Sequence, residues 1–246
     1  SDDRWISVVD ATLNSGNPCV HSNVSAATAD SQHSGTMVGS GDGAGAGSGK
    51  VIKIPQAVLL SELKTFTVCY AKTDGSTSDV TWKDSYIRLK ISKIKTLAVA
   101  SVTHRTTGQI PNTKAGDGMP FTYTGSLADN MRLALVDDTE NNGVPCFKSQ
   151  AGNAAVVQAG AANKVVNTFD TSTLDASKVF ALCYCEGDGT ASDATWADSG
   201  LRLTVPKVYS LQVDSGYVGQ APRDMTSLPK ATNRIQWQPD MTYIYA

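Results

Sequence analysis

The chain has 246 residues, enough for two domains that each bury a core. Apolar residues make up 41% and charged residues 18%, which fits neither a disordered chain nor a membrane protein, and no apolar run reaches bilayer length. The formal net charge is −2 with Lys and Arg scattered, so there is no basic footprint for nucleic acid and little charge to oppose self-association. The chain starts Ser1-Asp2-Asp3, without Met or a signal-like apolar stretch, as expected of a processed or trimmed chain.

In chain order, the first landmark is Ile6 to Cys19, ISVVDATLNSGNPC. The stretch from Gly39 to Gly49 is Gly-rich and predicts a flexible inserted loop. It is not a phosphate loop. Ala44 stands where such a motif needs Gly, Val51 stands where it needs Ser or Thr, and the segment that follows is strand-like rather than helical. Val51-Ile52-Lys53-Ile54 predicts a strand. Phe66, Val68 and Tyr70 then alternate with Thr67, Cys69 and Ala71, and Ile87, Leu89 and Ile91 alternate with Arg88, Lys90 and Ser92. Period-two alternation marks strands with one buried face. Asp74-Gly75 between them is a turn signal.

Leu133 to Val136 predicts another strand, and Asn142-Gly143 another turn. Gly152 and Gly160 interrupt the Ala-rich run from Ala151 to Val166, which predicts a loop or at most a short helix. Asp188-Gly189 repeats the turn signal. Leu201, Leu203 and Val205 then alternate with Arg202, Thr204 and Pro206.

These elements repeat. Residues 66–93 are FTVCYAKTDGSTSDVTWKDSYIRLKISK, and residues 180–207 are FALCYCEGDGTASDATWADSGLRLTVPK. Cys69 aligns with Cys183 at an offset of 114, and about half the positions are identical. Upstream, ISVVDATLNSGNPC recurs as LALVDDTENNGVPC at an offset of 127. Unit one therefore carries an insertion of about 13 residues, for which the Gly-rich stretch is the obvious source. Downstream, Lys93, Ile94 and Leu97 correspond to Lys207, Val208 and Leu211.

Unit two is preceded by Met119-Pro-Phe-Thr-Tyr-Thr-Gly, which unit one lacks at its own start. The predicted architecture is all-β: two tandem homologous sandwich-like domains, residues 1–100 and 101–213, in a pseudo-two-fold relation. Residues 214–246 are expected to complete the first domain or to dock on a neighbouring subunit.

The shared D-G-x-x-S-D-x-T-W-x-D-S turn holds Asp74, Asp79 and Asp84, matched by Asp188, Asp193 and Asp198. Carboxylates at a spacing of five suit calcium in principle, but the spacing is not that of an EF-hand. The favoured reading is a structural turn in which Asp and Ser bond local backbone and Trp82 or Trp196 covers the core edge. Cys69, Tyr70 and Arg88, with Cys183, Tyr184 and Arg202, complete the structural set.

The five cysteines are an odd number at low density, so they are expected to be reduced. The repeat leaves one alternative, Cys19–Cys69 and Cys146–Cys183 with Cys185 free. Cys183-Tyr-Cys185 is not a C-x-x-C motif. No cofactor or metal is expected. His21, His33 and His104 have no His counterparts in unit two, and no G-x-S-x-G occurs, so no enzyme is expected.

The doubled F-x-x-C-Y, D-G-x-x-S-D-x-T-W-x-D-S and R-L pattern, with V-D-x-T-x-N-x-G-x-P-C ahead of it, resembles the diatom pyrenoid shell proteins from about Ile6 to Leu211. The resemblance implies a plastid protein in the chloroplast stroma at the pyrenoid periphery. Its partner is itself, in a sheet-like lattice around the Rubisco matrix, and it supports carbon fixation by limiting carbon dioxide leakage. It brings no catalytic residues. Gly39, Gly49, Trp237, Tyr243 and Tyr245 are the expected assembly elements. The competing expectation is a calcium- or carbohydrate-binding sandwich at a cell surface, with one disulfide per domain.

Overall fold

Alternating strands in the first 91 residues build one antiparallel sheet. The computed structural model describes residues 4–41, 50–54, 60–112, 119–154, 156–159, 162–166, 169–208, 211–213, 223–224 and 243–245. The protein is all-β, with only helical segments of a turn or so. The chain divides into two compact units, Ser1–Ile91 and Ser92–Ala246.

Unit one contains β1 (Arg4–Asp10), β2 (His33–Gly41), β3 (Lys50–Val51), β4 (Thr65–Ala71) and β5 (Lys83–Lys90), in the order β3-β2-β1-β4-β5. Successive side chains leave a strand on opposite faces, so adjacent Val8 and Val9 serve two cores. On one face Val8 packs with Met37 and Phe66. On the other, Val9 packs with Cys19, Cys69, Ala71 and Trp82. Gly39 and Gly41 of the Gly-rich stretch belong to β2, where Gly39 pairs with Arg4 and Gly41 with Lys50. Residues 42–49, including Gly49, lie outside the described residues.

Unit two contains β6 (Ile94–Val99), β7 (Val102–His104), β8 (Thr107–Gln109), β9 (Phe121–Gly125), β10 (Arg132–Asp137), β11 (Val156–Ala159), β12 (Val165–Val166), β13 (Phe180–Tyr184) and β14 (Ala197–Thr204). One sheet has the order β11-β10-β13-β14-β8 and the other β12-β9-β6-β7. Their inner faces share one core. Leu97, Phe121 and Tyr123 from the second sheet meet Leu135, Leu182 and Leu203 from the first. Phe169 seats edge-on against Phe121, with centroids 5.1 Å apart. This is a sandwich. Strands β14 and β8 pair in parallel, and among the described residues every other pairing in these two sheets is antiparallel. The first sheet buries Ala134, Val136, Cys146, Ala181, Cys183 and Trp196 on its outer side.

A further small sheet has the order β16-β15-β17, from β15 (Leu211–Val213), β16 (Arg223–Asp224) and β17 (Tyr243–Tyr245).

Two expectations are corrected here. The units divide at Ile91, not at residue 100, because β6 pairs with β9 and enters the core of unit two. The Ala-rich run is not all loop or helix: Val156–Ala159 is a strand, because β10 offers its backbone an edge to pair with. Of the C-terminal segment, only β16 and β17 are described, and Trp237 lies outside the described residues.

Candidate functional site

The shared motif residues gather at one turn in each unit. In unit one, the Asp79 carboxylate accepts the Gly75 amide at 2.9 Å, the Thr81 amide at 2.8 Å and the Thr81 hydroxyl at 2.6 Å. In unit two, Asp193 accepts from Gly189 at 2.9 Å, from the Thr195 amide at 2.8 Å and from the Thr195 hydroxyl at 2.6 Å. The indole N–H of Trp82 donates to the Ser76 carbonyl at 3.1 Å, and that of Trp196 to Thr190 at 3.0 Å. Asp74 and Asp188 each receive the amide two residues on, at 3.0 Å, as Asx turns do. Gly75 and Gly189 sit at positive φ with side chains of Trp5 and Arg132 pressed where a Cβ would be, so only glycine fits.

Asp84 and Asp198 grip Arg88 and Arg202 through two parallel bonds each, at 2.9 and 2.8 Å in unit one and 2.9 and 2.7 Å in unit two. Burial works against the charge of Asp79, but the hydroxyls of Thr73 and Thr81 and the amides of Thr81 and Gly75 outweigh it and hold the carboxyl well below its usual range. The Thr195 hydroxyl and the Gly189 amide bring Asp193 to about 2. The oxygens of both aspartates are thus spent on their own turns. Among the described residues, no group of three or more His, Cys, Asp or Glu is placed to hold a metal ion.

The expectation of five reduced thiols is overturned. Cys19 bridges Cys69 and Cys146 bridges Cys183, with Cα atoms 5.4 and 5.3 Å apart, while Cys185 is free and buried. The count and density of cysteines say nothing of spatial adjacency. Here the fold brings the two cysteines of each unit within bridging reach. Burial pushes the Cys185 thiol above its usual pKa, which leaves it a poor nucleophile.

Sequence reasoning missed one duplicated pair. Lys64 donates to Asp10, whose side chain is wholly buried, and Lys178 donates to Asp137 at 2.5 Å. The available signal was the lysine two residues before the shared Phe66 or Phe180, opposite the shared V-D-x-T. A pocket of about 270 Å³ lies beside Asp137 and Lys178, but their charges are already paired.

The units differ at the strands that follow the shared turn, β5 and β14. Leu201 and Leu203 on β14 are 1% and 0% exposed, whereas their repeat counterparts on β5, Ile87 and Leu89, are 53% and 38% exposed. Tyr86 replaces Gly200 at a positive-φ position and is 85% exposed. Strand β14 is flanked by β8, while β5 ends its sheet. Among the described residues, unit one thus ends at β5 with Ile87 and Leu89 exposed.

No family model, curated protein or solved structure matches the chain. Among the described residues, no helix is long and apolar enough to cross a membrane.

Proposed function

We propose that this protein is structural and self-assembles into a sheet-like shell around the Rubisco-rich pyrenoid of a chloroplast, where it supports carbon fixation by limiting carbon dioxide leakage. The observation that carries the self-assembly is β5, which ends its sheet among the described residues with Ile87 and Leu89 exposed, where their counterparts in unit two are buried. Unpaired edges and exposed apolar faces are sites of association. The pyrenoid setting rests on the resemblance of the doubled motif. The features common to both units are turns, bridges and ion pairs that hold a fold, and no catalytic step belongs to this reading. Negative-stain electron microscopy of the purified chain across a concentration series, with calcium chelated, tests it. Sheets or tubes are expected, and monomers at every concentration would overturn it.

One observation favours the cell-surface binding module, namely a disulfide in each unit, since such bridges persist in oxidising compartments. Against calcium in that role stand the carboxylates of Asp79 and Asp193, occupied by their own turns. Calcium titration followed by thermal unfolding separates the two readings.

A further inference from the structure

We propose that the pocket beside Asp137 and Lys178 in unit two is a binding site for a primary carboxamide on a short aliphatic stem, the group that a glutamine side chain carries. The inference goes beyond the self-assembly reading and concerns unit two alone.

Unit one shows the equivalent position filled. Oδ1 of Asp10 accepts the Thr12 amide at 2.9 Å and the Thr12 hydroxyl at 2.8 Å. Oδ2 accepts from Lys64 and from the Gln32 carboxamide, the latter at 3.0 Å. In unit two, Oδ1 of Asp137 accepts the Thr139 amide at 3.0 Å and its hydroxyl at 2.7 Å, and Oδ2 faces Lys178 at 2.5 Å. Among the described residues no carboxamide joins Lys178 there. Gln32 directly precedes β2, the strand beside β1. Ala154, just ahead of the matching strand β11, brings only a methyl group to the pocket. The Asp10 side chain is accordingly 0% exposed and that of Asp137 13%, and about 270 Å³ stands open beside Asp137.

The chemistry of the pocket selects the group. Lys178 and the Thr139 donors bring Asp137 to about 2, so at neutral pH its carboxylate is ionised and can only accept. One ammonium leaves room on Oδ2 for a second donor, as Gln32 demonstrates on Asp10. The Lys178 ammonium carries three donors and its side chain is half exposed, so it can meet a carbonyl oxygen while it holds Asp137. A carboxamide therefore satisfies both members of the pair at once, its N–H on the carboxylate and its C=O on the ammonium.

Charged ligands fit less well. An anion would face Asp137, Glu140 and Asp175 together, and a cation would meet Lys178. Leu135, Leu174 and Phe180 supply an apolar wall for the stem. A free carboxamide gives up translational freedom that Gln32, as part of the chain, does not, so a small one should bind in the millimolar range.

Saturation-transfer NMR on the full chain, with butanamide as the probe, tests this and reads monomers and assemblies alike. Transfer to butanamide is expected, with butanoate and butylammonium each giving roughly fivefold less. Asp137→Asn, checked for native circular dichroism, should lose the butanamide signal. Gln32→Ala should open the equivalent position in unit one and raise it. No transfer to butanamide in the parent chain would overturn the inference, as would equal transfer to butanoate or stronger transfer to butylammonium. So would an undiminished signal in a folded Asp137→Asn chain or no gain in a folded Gln32→Ala chain. Should Asp137→Asn not fold, Thr173→Trp, at an exposed position lining the pocket, blocks it instead, and undiminished transfer there overturns the inference.

Discussion

The ammonium of Lys64 closes over the wholly buried carboxylate of Asp10, which links the end of β1 to the residue before β4. Asp10 also accepts the Thr12 amide at 2.9 Å, the Thr12 hydroxyl at 2.8 Å and the Gln32 side chain at 3.0 Å. Asp10→Asn keeps the shape but removes the charge that Lys64 pairs with. It should cost about 2–3 kcal/mol. Urea unfolding measures this, and a change below about 0.5 kcal/mol would show the pair to be idle.

These carboxylates set the acid limit. Lys178 brings Asp137 to about 2, and the Thr195 hydroxyl does the same for Asp193. Burial opposes the charge of Asp10, but Lys64, Thr12 and Gln32 prevail and lower it further. A depressed folded pKa adds stability that is complete above the unfolded value, about 3.9, and disappears as pH falls through the folded one. Thermal stability should therefore hold from neutral pH to about 4 and fall steeply between about 4 and 2. A midpoint that drops between pH 7 and 5 would implicate other groups.

The bridges close loops with sequence separations of 50 and 37 residues. Chain-entropy arguments put each at about 4 kcal/mol, an upper figure. Thiol titration of the unfolded, unreduced chain should find Cys185 alone, and five thiols after reduction. Cys19→Ser should lower the stability of unit one, and dithiothreitol should add nothing further to that unit. Five reactive thiols before reduction would refute the bridges.

Asp79 holds its turn through three bonds. Asp79→Ala should cost about 2–4 kcal/mol. Calcium should leave the melting temperature of the parent chain unchanged, and chelation should change nothing. A calcium-dependent rise that Asp79→Ala abolishes would turn the structural turn into a ligand site.

Ser7 and Thr67 are buried at 1% and 0% exposure, and their hydroxyls find no partner among the described residues. Their counterparts are Ala134 and Ala181. Thr67→Val keeps the volume and removes an unsatisfied group, so it should stabilise by about 1 kcal/mol. Chemical denaturation measures it, and a loss of stability would mean the hydroxyl has a partner.

Local chemistry made much of this molecule legible. The alternation of Phe66, Val68 and Tyr70 marked β4, and Asp-Gly marked the turns, because both signals arise from neighbours in sequence. Other features were not legible. Val156–Ala159 forms a strand because β10 offers it an edge, which no local pattern records. The repeat named the pairings Cys19–Cys69 and Cys146–Cys183 as the alternative, but choosing them over reduced thiols needed a distance between residues 50 and 37 positions apart. Asp10 and Lys64 are 54 positions apart and meet only when β1 lies beside β4.

The sequence by itself determined the all-β class, the duplication and the residues that build each turn, since strand period and turn chemistry act over a few positions. Only the tertiary structure decided which sheet covers which. Ile87 and Leu201 carry like side chains in like strands, and one is half exposed while the other is buried. That difference arises because burial depends on what packs across the face from elsewhere in the chain, and β6 spends its apolar side on unit two.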